Sequence, residues 1–214
     1  GRIAFNGEVL LENHPRGKMK KLYQGSMPKA FTHTVRKTPD RITKLGICRT
    51  FQNIRLFSSM SVLDNVLVAC HMYMKTGALA AMIGIGKAQE KQLRQEAMRH
   101  LEFMGLADVA DELACNLPYG KQRHVEIARA LAARPQLLLL DEPAAGMNPQ
   151  ETAELMTLIR RIRDEYKLTV FMIEHHMDLV MGISDRIYVI DFGKQIAQGT
   201  PAQVQNDPAV IAAY

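Results

Sequence analysis

Leu137-Leu138-Leu139-Leu140-Asp141-Glu142-Pro143 reads as a strand and the turn that ends it. The run over 136–140 is continuously apolar, the pattern of a strand buried on both faces of a parallel sheet. Two consecutive carboxylates closing such a strand are costly to desolvate unless a partner meets them. A Mg²⁺ ion carrying nucleotide phosphates is the usual partner: an Asp holds the metal and the adjacent Glu polarises a water. Ligand sites of α/β sheets lie at the carboxyl ends of strands, where Asp141 and Glu142 fall. Alone, the same residues also read as a strand that simply meets a turn, so the context decides.

Downstream of this strand the pattern predicts a helix over 150–166, a strand over 169–173, a short helix over 176–182 and a strand over 186–190. A hairpin-like strand around 195–197 and two short helices follow. Upstream, Asn116-Leu117-Pro118-Tyr119-Gly120-Lys121-Gln122-Arg123 leads through a Gly-bearing turn into a helix over 121–133. Before it come a short helix around 107–113 and an amphipathic helix over 88–104, stopped at Gly105. Ser61 with Asp64 three residues on is a capping box, and Val62, Val66, Leu67 and Cys70 form an apolar stripe behind it. A Gly-containing break covers 77–86. Alternating strands and helices imply an α/β layered core, and the all-helical stretch 51–133 reads as an α-helical subdomain set into it. At the start, Ile3-Ala4-Phe5 runs into Asn6-Gly7, a strand leading to a turn. Gly1 in place of Met makes a fragment the expectation.

Composition is that of an ordinary globular chain: 214 residues, 47% hydrophobic and 23% charged. The longest apolar stretch, around 78–86, is far short of the ~20 residues that span a bilayer. With no signal-peptide pattern, the chain is expected in the cytosol, reaching a membrane only through partners. Cys48, Cys70 and Cys115 have no metal-ligand spacing and read as reduced, mostly buried thiols. The net charge of +5 is local: nine of the 27 basic residues fall within 13–44, against Asp40 alone. That segment, with Pro15, Gly17, Gly25, Pro28 and Pro39, reads as an extended basic insertion. The rest of the chain is mildly acidic, which argues against nucleic acid as a partner. A solvated surface loop, or contact with anionic lipid headgroups or cytoplasmic loops of a membrane partner, are its two readings.

Asn116 through Leu131 resembles the signature motif of ABC ATPases, and Asp141-Glu142 then matches their Walker B strand. Thr50-Phe51-Gln52 looks like the Q-loop, Gly146-Met147-Asn148-Pro149 like the D-loop, and Ile173-Glu174-His175 like the switch histidine. Arg49-Thr50-Phe51-Gln52, Asp141 through Pro149 and the ending Asn206-Asp207-Pro208 are similar to the larger ATP-binding subunit of branched-chain amino acid importers. The resemblance covers 1–12 and 42–214. It implies a RecA-like P-loop NTPase core with an inserted α-helical subdomain. In it, 1–50 is a remnant of the N-terminal core carrying the basic insertion 13–44. Residues 51–133 are the helical subdomain, and 134–214 are the C-terminal part of the core.

The same resemblance implies ATP and Mg²⁺ as cofactors. Asp141 and Gln52 would hold the metal, Glu142 would position the attacking water, and His175 would contact the γ-phosphate. Tyr119, Gly120, Lys121, Gln122 and Asn148 would reach the nucleotide held by a second ATPase subunit, homologous or identical. Two transmembrane permeases would be driven from the cytoplasmic face of the inner membrane, fed indirectly by a periplasmic binding protein. The helical subdomain is the expected coupling surface, with the Met-rich stretch near Met72, Met74 and Met82 a candidate for adaptable packing.

Three departures qualify the match. No Gly-x-x-x-x-Gly-Lys-[Ser/Thr] occurs in the chain, and the decoy at Gly84-Ile85-Gly86-Lys87-Ala88 lacks the first Gly and the hydroxyl residue. Family order places the P-loop before Gly1, so the core is expected to be incomplete and the chain inactive alone. The signature carries Pro118 where a Ser hydroxyl is usual, with Tyr119 after it. The basic insertion is longer than the family's connection there. The alternatives are the motor of a lipopolysaccharide-type exporter and a non-catalytic ABC fragment.

Overall fold

The computed structural model describes residues 2–12, 38–74 and 86–213. Most of the basic insertion, the break over 77–85 and Met82 lie outside the described residues. Two compact units are formed, Gly1–Gly46 and Ile47–Tyr214.

In the first unit, β1 (Arg2–Phe5) and β2 (Glu8–Glu12) pair antiparallel around Asn6 and Gly7. Both turn residues have positive φ, 48° and 80°. That is the mirror-image turn whose twist matches a hairpin, and Asn-Gly accepts it with little strain. Helix α1 (Pro39–Lys44) starts on a proline, whose fixed φ suits the first helical turn.

The second unit begins with β3 (Ile47–Arg49), α2 (Val62–Cys70) and α3 (Lys87–Phe103). It continues through α4 (Tyr119–Ala132), β4 (Leu137–Asp141), α5 (Pro149–Tyr166) and β5 (Thr169–Ile173). After these come α6 (Met177–Ile183), β6 (Ile187–Asp191), β7 (Lys194–Gly199), α7 (Pro201–Gln205) and α8 (Pro208–Ala213). Strands β3, β4 and β5 form a parallel sheet in that order, with β4 central. This is the mixed α/β architecture of a RecA-like core.

Burial in β4 alternates, which corrects the expectation of a strand covered on both faces. Leu138 and Leu140 are buried, whereas Leu137, Leu139 and Asp141 are half-buried. On β5, Phe171 and Ile173 stay exposed. An apolar run signals a strand, but its coverage depends on what packs above it, and helices cover only one face here among the described residues. The covered face joins a continuous core in which Val66, Leu101, Ile127, Leu131, Leu138, Leu155 and Ile162 of α2, α3, α4, β4 and α5 pack together. Strands β6 and β7 form a separate antiparallel hairpin, with Val189, Ala197, Val204 and Val210 in a smaller core of their own.

Two local outcomes differ from the periodicity. The helix expected over 107–113 is only a 3₁₀ turn, Ala107–Val109. The carbonyls of Ala110 and Glu112 instead accept the N–H groups of Leu63 and Val62 at 2.9 Å each. Those are free donors of the first turn of α2, so the segment caps a neighbouring helix rather than forming its own. The helix expected from 121 starts at Tyr119, with Pro118 as its N-cap. Proline's missing N–H costs nothing there, because no helical bond would use it. Cys48 and Cys70 are buried and Cys115 is exposed. Burial pushes the Cys48 and Cys70 thiols up to about 11, so neither is reactive at neutral pH.

Candidate functional site

Parallel pairing brings the carboxyl ends of β3, β4 and β5 to one edge, and the candidate residues sit on it. The ladder runs one residue past each strand: Thr50 N–H donates to Leu139 O and Glu142 N–H to Ile173 O, both at 2.9 Å. These bonds set Asp141 and Glu142 between Arg49 and Gln52 on one side and His175 on the other. Glu142 has φ of 44°, a left-handed conformation that is uncommon for a non-glycine residue. Strain of this kind persists where the surroundings impose it, often at functional sites.

Gln52 Nε2 donates to Glu142 Oε2 at 2.7 Å, tying the loop after β3 to the acid after β4. The Arg49 guanidinium lies 2.6 Å from Asp141 Oδ2, so a cation already sits on that carboxylate. His175 Nδ1 stands 4.0 Å from Glu142 Oε1 and 4.0 Å from Glu174 Oε2. Of the expected residues, Gln52, Asp141, Glu142 and His175 are therefore brought together.

Glu174 organises the turn after β5. Its side chain is buried, and its carboxylate accepts Ala144 N–H at 2.9 Å, His175 N–H at 2.9 Å and His176 Nδ1 at 3.0 Å. Burial pushes this carboxyl up, but the donors from Ala144, His176 and His175 outweigh it and hold it below its ordinary value.

The remaining expected residues bond elsewhere than to the acidic pair among the described residues. Gln122 Nε2 donates to Leu117 O at 2.8 Å, and Lys121 Nζ lies 4.0 Å from Asp108. Asn148 caps α5: its side chain accepts Glu151 N–H while Glu151 accepts Asn148 N–H, 2.9 Å each way. A Cβ added at Gly120 would come within 3.3 Å of Glu151 Oε1. The N-termini of α4 and α5 thus meet at one carboxylate, and their partial positive charges favour an anion there. The exposed Tyr119 ring lies beside Gly146, whose φ of +78° suits glycine.

Sequence reasoning missed two groups. Arg123 and Glu126 of α4 are fully buried and paired at 2.7 Å. Arg123 donates to Phe51 O at 2.7 Å and Gln52 O at 2.8 Å, while Glu126 Oε1 accepts Phe51 N–H and Arg55 N–H at 3.4 Å. The pair grips the backbone that presents Gln52. Its only sequence signal is an i,i+3 opposite-charge pair flanking Val125 on a helix whose neighbours Ile127 and Ala128 are apolar. Glu174 and Arg49 are the other omissions, visible in the sequence only as charges flanking motif residues.

A family model for ABC transporters matches residues 6–145, and one for branched-chain amino acid ATP-binding cassette transporters matches 194–214. The chain is 48% identical over 177 residues to the high-affinity branched-chain amino acid transport ATP-binding protein LivG of Escherichia coli, covering 81% of this chain and 69% of that protein. It is 46% identical over 176 residues to BraF of Pseudomonas aeruginosa, a protein of the same description, with the same coverage. A crystal structure of an ATP-binding cassette of an ABC transporter in its ADP conformation superposes with a TM-score of 0.69 at 30% identity. That match covers 85% of this chain and 73% of the other. A nucleotide-free cassette gives a TM-score of 0.67 at 29% identity, with the same coverage. Among the described residues no helix is long and apolar enough to cross a membrane. With strands, motifs and relatives in agreement, the chain belongs to the ATP-binding subunits of ABC transporters.

Proposed function

We propose that the chain is the ATP-binding and hydrolysing motor subunit of an ABC importer for branched-chain amino acids. The observation that carries the reading is the convergence of Gln52, Asp141, Glu142 and His175 on one edge of a parallel sheet. The donors there are carboxylate and amide groups, the hard ligands that Mg²⁺ takes, and Asp141 already accepts a cation from Arg49 at 2.6 Å. Asp141 and Gln52 would hold that metal. Held there, the metal would supply positive charge to offset that of the nucleotide phosphates.

Glu142 acts as the base that orients and polarises the attacking water. Gln52 holds its Oε2, leaving Oε1 toward His175. His175, exposed on the turn after β5, reaches the γ-phosphate. Tyr119, Gly120, Lys121, Gln122 and Asn148 serve the nucleotide of a second ATPase subunit, which accords with their bonding elsewhere than to the acids of their own chain. Residues 51–133 act as the helical subdomain within the division 1–50, 51–133 and 134–214. The subunit works at the cytoplasmic face of the inner membrane on two permeases, with a periplasmic binding protein delivering the amino acid. The 214 residues contain no Gly-rich phosphate loop. By themselves they therefore lack the main phosphate cradle and hydrolyse ATP negligibly.

Glu142→Gln in the complete, assembled transporter tests the central role. Nucleotide binding is expected to persist while turnover falls at least ~100-fold, the scale of losing a general base. Near-normal turnover would remove Glu142 from the chemistry.

A further inference from the structure

We propose that Glu174, His175 and His176, with Glu142 beside them, form a binding site for a divalent transition-metal ion of the Zn²⁺ class. Occupation of the site would withdraw His175 from the nucleotide and inhibit turnover. One ligand atom from each of Glu174, His175 and His176 lies within 4.8 Å of the others. His176 Nδ1 is 3.0 Å from Glu174 Oε2. The two imidazoles are stacked at 4.8 Å with 29° between their planes, which keeps the rings side by side on the same turn.

His175 Nδ1 is the centre of the arrangement. It stands 4.0 Å from a carboxylate oxygen on each side, Glu142 Oε1 and Glu174 Oε2. That is too long for a hydrogen bond, which needs about 2.7–3.2 Å. A tetrahedral ion with bonds of about 2.0–2.1 Å sets its ligand atoms about 3.4 Å apart, so each 4.0 Å gap has to close by only about half an ångström to hold it. Both rings are exposed, 63% and 45%, and can rotate the few tenths of an ångström that a closed coordination shell needs. Glu174 is fixed by backbone donors from Ala144 and His175, so the carboxylate side of the site is preformed. Carboxylate paired with imidazole selects Zn²⁺, Ni²⁺ or Cu²⁺ over Mg²⁺, which avoids nitrogen. The site is therefore chemically distinct from the magnesium position proposed at Asp141.

Only the inhibition rests on the ATPase reading; binding of the metal does not. The test is titration of the chain with Zn²⁺ against a chromogenic chelator, in buffer containing excess Mg²⁺ and no nucleotide. One equivalent is expected to bind. His176→Ala should weaken binding at least the ~10-fold that losing even an outer-shell partner costs. Cys115→Ser and His71→Ala should leave it unchanged. His176→Ala removes one donor to Glu174, while those from Ala144 and His175 remain, so inhibition by Zn²⁺ is read relative to the variant's own turnover without Zn²⁺. Absence of stoichiometric binding, or equal affinity in His176→Ala, overturns the site. In the complete transporter, Zn²⁺ should inhibit ATPase activity, and His176→Ala should raise the inhibiting concentration by the same factor. Binding without that shift would overturn the inhibitory role. Absence of ATPase activity in the complete transporter would strike the ATPase reading alone and leave the binding of the metal standing.

Discussion

Arg123 carries a full charge with no exposed surface, and its stability depends on what surrounds the guanidinium. Glu126, Phe51 O and Gln52 O take three of its donors, while its Nε has no partner among the described residues. Removing one member of such a pair strands the other charge in the core, which costs more than the pair contributes. Arg123→Met is expected to lower the unfolding free energy by about 3–5 kcal/mol in urea denaturation. The double replacement with Glu126→Leu should recover much of that loss, because no buried charge is left alone. Equal destabilisation in the single and double variants would mean the pair acts only through volume. None of this was legible in the chain as text. Arg123 and Glu126 look like surface helix residues until α4 is seen packed on the Q-loop backbone. The Asp141-Glu142 pair, by contrast, announced itself, because a desolvated acid after an apolar strand demands a partner wherever the strand packs.

At the scale of elements, helix caps show what local chemistry decides unaided. Asn148, proposed to touch a neighbour's nucleotide, already does intramolecular work as half of the capping box that starts α5. Asn148→Ala should cost about 1 kcal/mol of stability, and Asn148→Asp or Ser should restore most of it. A loss confined to turnover, with denaturation unchanged, would show that the side chain serves the subunit interface instead of the cap. The strand over 169–173 and the helix over 150–166 were readable because their periodicity and punctuation agree. The 107–113 segment was not. Its helical propensity lost to a tertiary demand, the unsatisfied N–H groups at the start of α2, which no local window reveals.

Across the whole second unit, one core joins the helices of 51–133 to the sheet, and a buried histidine, His100, and a half-buried one, His124, sit where those helices meet α5. His100 of α3 bonds Tyr166 OH at 2.8 Å. His124 of α4 lies near Glu154 of α5. Burial pushes both imidazoles below their ordinary value. For His100, Glu96 opposes that shift, while Arg99 and Arg134 add to it. The folded state binds protons less readily than the unfolded one, so the unfolded chain gains protons first as pH falls below about 6.5. Stability is thus full above that value and declines as pH falls below it. Urea midpoints should fall over this window and flatten in a His100→Gln, His124→Gln double variant. An unchanged slope in that variant would place the dependence elsewhere. The sequence by itself determined the α/β class, the order of the motifs and the identity of the acids, because apolar period, turn residues and paired carboxylates are local properties. Only the tertiary structure decided that Gln52, Glu142 and His175 share one edge, that burial alternates along β4 among the described residues, and that Arg123 is buried. Those outcomes depend on contacts between residues distant in the chain, whose burial no local pattern encodes.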